Sequence, residues 1–162
     1  MDAPVSYELA LSLHSLLRWL VILFGVLVLL QGLVGMLTGG ELGPVGRRLG
    51  LVFLICLDLQ VLIGIALHVF LSPTTKAYMQ DFRGSMGVPD HRFWLVEHGL
   101  AMLAALIAVH VGRVLARRAS SDRAEHLPRF LTTALALLLI LWATPWPFLE
   151  EGRARPWIRL PF

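Results

Sequence analysis

Three histidines stand at the ends of three apolar stretches: His14, His68 and His98. Imidazole is the commonest side-chain metal ligand and an axial ligand of haem iron. Arg18 follows His14 by four residues, so the two share a helical face. Glu97 adjoins His98, and Arg92 stands at the mouth of the same stretch. A b-type haem needs imidazoles projecting into a helical bundle and cations near its propionates. His14 and His98 are the expected ligand pair, with Arg18 and Arg92 toward the propionates. His68 is then a propionate partner or a replacement ligand. The same three histidines, with Glu97 as an oxygen donor, also suit a copper, zinc or iron ion. A quinone headgroup is a further candidate, with a histidine and a carboxylate handling its protons. Against these stands the plainer expectation of interfacial polar tips at His14 and His68, and a structural ion pair between Arg18 and Glu97.

The elements that must position these residues follow from composition. The chain has 162 residues, 57% of them hydrophobic and only 15% charged. A soluble domain carries about 25% charge and cannot bury such an apolar excess. A soluble enzyme, a disordered tail and a disulfide scaffold are excluded. One cysteine, Cys56, excludes an intrachain disulfide, a CxxCH haem attachment and a cysteine zinc site. It reads as a small hydrophobe. GxSxG, P-loop and HExxH motifs do not occur. The basic residues are not interleaved with aromatics as a nucleic-acid surface would be. Four apolar runs remain, each close to the roughly 20 residues a helix needs to cross a bilayer. Backbone in lipid must satisfy itself, so the runs are helices. The expected fold is all-α: one four-transmembrane-helix bundle, up-down-up-down, with helices over about 10–38, 48–71, 93–116 and 129–149.

The breaks agree. Gly39, Gly40 and Pro44 follow the first helix, Pro73 the second, and Pro145 and Pro147 the fourth. Trp142 and Trp146 read as an interfacial belt. The longest connection, Ser72 to Arg92, has the length of a lid or binding loop. Asp2 and Glu8, without lysines, argue against a cleaved leader. Arginine density between the third and fourth helices (Arg113, Arg117, Arg118, Arg123, Arg129), with Arg47 and Arg48, places those loops in the cytoplasm of a bacterial inner membrane and both termini outside.

A second polar set lies deeper: Gln31, Asp58, Gln60 and His110. Ionisable groups at membrane depth are the default pointers to function. Asp58 has no lysine or arginine at its depth, so it needs His110 or Gln31 as a hydrogen-bond partner, or a proton of its own. A bond between His110 and Asp58 is expected as an interhelical link. His91 and His126 read as solvated loop residues, and Met102 as core filling. His98 and His110 are twelve residues apart on one helix and do not share a face, so at most one haem is expected.

Leu13–His14–Ser15–Leu16–Leu17–Arg18–Trp19, Val96–Glu97–His98 and Pro145–Trp146–Pro147–Phe148 resemble signature stretches of small four-helix bacterial membrane proteins often labelled cytochrome b. The likeness spans most of the chain. It implies haem b and electron transfer, with His14, His98, Arg18 and Glu97 as leading site residues. Together these readings point to a membrane-embedded carrier of one haem near the outer face, exchanging electrons with quinol or a redox partner protein. A cofactor-free accessory subunit of a larger membrane complex is the contrasting expectation. Either is more an electron-transfer or accessory subunit than a stand-alone enzyme, and no catalytic residue is assigned.

Overall fold

The computed structural model describes residues 5–149 and 152–160. Asp2 and the extreme ends, on which the expectations about leader and termini bear, lie outside the described residues. Among the described residues the chain is helical, without a strand.

Helix α1 runs Val5–Thr38, with Glu8 in its first turn where the helix dipole favours an acid. It ends at Gly39, whose φ of 68° takes the left-handed conformation that stops a helix. Helix α2, Gly43–Ala66, starts with Pro44 in its first turn and passes into a π-helical turn, Leu67–Leu71. The connection expected as one irregular loop is three short helices: α3 Pro73–Gln80, α4 Phe82–Met86 and α5 Pro89–Arg92. Local capping explains them. Ser72 accepts from the Thr75 amide and Asp81 from the Gly84 amide, each satisfying an orphan donor at a helix start. A second π-helical turn, Phe93–Glu97, leads into α6, His98–Arg117.

Helix α7 is Asp122–Ala143, shifted toward the N-terminus of the expected 129–149. Ser121 caps it by accepting from the Ala124 amide. Its polar first turns hide their helical character from hydropathy. Its end falls at Thr144, which turns extended ahead of Pro145.

Four stretches are long and apolar enough to cross a membrane: Val5–Thr38, Gly43–Leu71, Pro89–Arg117 and Arg123–Ala143. Each packs on the next, and α7 returns to α1. The core between them holds Val21, Val28, Phe53, Leu57, Ala105, Ala136 and Ile140. The outward faces carry Leu23, Leu30, Leu62, Ile107 and Leu138, exposed. An apolar surface of that extent suits lipid and not water, so the fold is that of an integral membrane protein. Small residues let α1 approach α7 closely. A Cβ at Gly32 would stand 3.2 Å from Phe130 Cβ.

Residues 152–160 form a strap across one end of the bundle. The Trp157 carbonyl accepts from Arg18 Nη2 at 2.7 Å and Trp19 Nε1 at 2.9 Å. Trp94 Nε1 donates to the Gly152 carbonyl at 3.0 Å. Arg153 pairs with Asp90 at 2.6 Å and Arg159 with Glu8 at 2.7 Å. Trp157 also joins Trp19, Trp146 and Phe148 in one aromatic cluster. Of the two tryptophans expected as a belt, Trp142 faces outward and Trp146 packs into this cluster.

Candidate functional site

Under the strap lies a partly open cavity of about 120 Å³, several times the 10–15 Å³ or so that one water needs. His14, His68 and His98 all line it, from α1, the first π-helical turn and the start of α6. Both π-helical turns border it. Such turns add a residue to the helix and re-aim the side chains beyond, and they recur at functional sites.

The His14 and His98 rings meet edge to face, centroids 6.4 Å apart and planes at 68°. Each is held by its own support. His98 Nδ1 lies 2.8 Å from the Ala143 carbonyl. Only a protonated Nδ1 can donate to that oxygen, which leaves Nε2 with the lone pair. His14 Nε2 is 3.2 Å from the Gln60 amide nitrogen, and His14 Nδ1 is buried without a partner. Gly64 makes room for this ring, for a Cβ there would be 3.2 Å from His14 Cε1. Trp94 and Phe93 flank His98 at 5.9 and 5.8 Å.

Among the described residues the charged side chains lining the cavity are arginines, one of which, Arg159, is paired with Glu8. Arg18, Arg155 and Arg159 line it, and among the described residues no carboxylate does. Arg18 Nε is buried and unpartnered. Arg155 sits over the Trp94 ring at 4.4 Å. Burial holds the Arg155 guanidinium below its ordinary value, because the charged form loses water there. Ser72, Thr74 and Thr75 add hydroxyls to the rim. Such a wall attracts an anionic or acceptor-rich ligand.

Not every expected residue takes part. Arg92 and Glu97 pair with each other at 2.6 Å and do not line the cavity. Arg18 bonds the Trp157 carbonyl, so the expected Arg18–Glu97 pair does not form. The reason is local: the π-helical turn brings Glu97 back toward Arg92, one turn away on the same segment. Two arginines that the sequence analysis did not place at the site, Arg155 and Arg159, line the cavity instead of Arg92.

The deeper set divides. Gln60 joins His14. Gln31 lies 3.4 Å from the Leu42 carbonyl at the other end of the bundle. His110 and Asp58 bond at 2.9 Å, as the interhelical expectation had it, yet on the outer surface of the bundle. His126 is not a solvated loop residue: it lies in α7, 1% exposed, with Nε2 2.8 Å from the Gly40 carbonyl. His91 stacks on Tyr78 at 3.8 Å. Cys56 is buried and free.

Gly64 spares room on one side, and the arginines complement acidic side groups. The cavity thus offers imidazole nitrogens from His14, His68 and His98 and the cations of Arg18, Arg155 and Arg159. Among the described residues no three His, Cys, Asp or Glu side chains converge on a point that could hold a metal ion. His14 and His98 meet ring to ring, and His68 shares the cavity wall with them. Fold and site thus define a helical membrane protein with a histidine–arginine cavity at one end. Comparison with protein-family models, curated proteins and solved structures gives no match.

Proposed function

We propose that the chain is a b-type cytochrome-like membrane protein that binds one haem in the histidine–arginine cavity and passes electrons. The observation that carries this reading is the His14–His98 pair at 6.4 Å in a cavity lined by three arginines and, among the described residues, no carboxylate. His14 and His98 would hold the iron, and Arg18, Arg155 and Arg159 the propionates. When bound, the haem supplies one-electron exchange through its iron. The Ala143 carbonyl fixes the His98 tautomer and raises the basicity of its free nitrogen. The positive wall favours the more electron-rich oxidation level. Trp94 and the strap exclude water from that side. A cavity open on one side admits a ligand larger than its enclosed volume.

In this reading the helices run up-down-up-down in a bacterial inner membrane. The arginine-bearing short loops lie in the cytoplasm, and the cavity faces outward. A quinol headgroup is the natural partner for a carrier whose site opens near the membrane surface. His68 would take a proton from it, and the Thr74 and Thr75 hydroxyls would hydrogen-bond its oxygens.

The test is a dithionite-reduced minus oxidised absorbance spectrum of detergent-purified, haem-supplied protein, with metal analysis of the same sample. A sharp α-band with one haem per chain is expected. A flat spectrum from a monodisperse preparation overturns the reading, and the metal content then separates an ion site from a cofactor-free subunit.

A further inference from the structure

Among the described residues Asp58 and His110 set an ionisable pair on an otherwise apolar α2–α6 face. Asp58 comes from α2 and His110 from α6, at the same depth. Their side chains are 38% and 50% exposed, and both belong to stretches long enough to cross a membrane. Around them the outward residues are Ile55, Leu62, Ile107 and Val114. Exposed ionisable groups in a spanning segment face protein or water, not hydrocarbon.

The bond between them uses Nε2 of the ring and Oδ1 of the carboxyl. Nδ1 and Oδ2 have no partner among the described residues. A spanning segment favours a pair without net charge; such a pair carries two protons, and whichever group holds the shared one, Nδ1–H is then a donor and Oδ2 an acceptor. A donor and an acceptor side by side at one depth are self-complementary under a twofold axis along the membrane normal. A second copy turned by 180° sets its donor against this acceptor and its acceptor against this donor. Closed twofold pairing is the commonest oligomeric symmetry. We infer that this α2–α6 face binds a second copy of the chain, with His110 of each copy donating to Asp58 of the other. The inference does not depend on any ligand in the histidine–arginine cavity.

The experiment uses the full chain in lipid nanodiscs and in detergent, with mass read by light scattering. The wild type is expected as a two-chain particle. Asp58→Asn and His110→Gln should each weaken pairing roughly tenfold, the scale of two interhelical polar bonds. Co-expression under two affinity tags then decides between contacts within and between chains. Asp58→His alone and His110→Asp alone place like groups together and should not self-pair. Expressed together they should pair with each other, because only the contact between chains then matches acid with base. Ile107→Trp, on the same face without touching the pair, should also separate the copies and covers the case in which a polar variant fails to fold. A wild type that is a single chain overturns the inference, as does pairing that survives both single replacements. So does a mixture that pairs no better than either variant alone.

Discussion

At one end of the bundle His14 stands beside Gly64 and next to open space; at the other His126 lies over Gly35 and fills it. Each end also has a glutamine and an arginine. Gln60 approaches His14, whereas Gln31 presses against Gly46. Arg18 reaches the strap, whereas Arg129 donates to the Gly46 carbonyl at 3.1 Å and lies against Gly50. The cavity near Arg129 is about 30 Å³, against about 120 Å³ under the strap. The same residue types thus make a closed joint at one end and a binding site at the other. What differs is how far each glycine brings the facing ring. Gly35 admits the His126 ring to where its own Cβ would stand, while the His14 ring stops 3.2 Å short of a Gly64 Cβ.

That contrast can be broken most sharply at the histidines. His98→Ala or His14→Ala should abolish the haem absorbance of a still-folded protein, read as the Soret band per mole of chain. His126→Ala should leave that band intact and lower thermal stability by about 2–3 kcal/mol, the cost of a cavity and a lost buried hydrogen bond. Equal spectral effects at His14 and His126 would erase the distinction between the two ends. The glycines give a second, smaller pair. Gly35→Ala drives a methyl into the buried His126 ring and should cost about 1–3 kcal/mol of stability. Gly64→Ala needs only a few tenths of an ångström from His14. It should shift haem occupancy or midpoint potential more than the melting temperature. A cavity that leaves both unchanged is not the haem site. Arg155→Gln should raise haem loss a few-fold, in line with about 1 kcal/mol for one charge-assisted contact at a partly exposed rim. Least of all, Arg47→Gln should change stability by less than about 0.5 kcal/mol, because the 3.5 Å Arg47–Glu125 pair has an exposed arginine.

The spans were legible because composition alone demands them. The convergence of His14, His68 and His98 was legible because helix ends have depth. Rotation was not. An all-apolar span has no polar face to mark its inward side, so the outward turn of Asp58 and His110 and the approach of Gln60 to His14 could not be derived. His126 was misread because Asp122–Arg129 is polar, and hydropathy sees polarity before it sees a helix cap. Ser121 followed by a polar turn was the available signal. Arg155 and Arg159 were missed for another reason: residues 152–160 have no period of two or of 3.6, so nothing in their order says that they fold back. Trp157 among arginines and prolines was the only hint.

The two π-helical turns carry a numerical consequence. Each lodges one residue more than an α-helical turn, and one residue is about 100° of rotation. Counting in steps of 3.6 from Arg92 therefore assigns His98 to the wrong side of its helix, and counting back from Ser72 does the same for His68. Deleting a single residue within Phe93–Glu97 would restore a regular helix while swinging Trp94 and the residues before it away from the cavity. Two such offsets at one level work like a vernier. The spans below keep their lipid-facing phase while the site above is tuned independently of it.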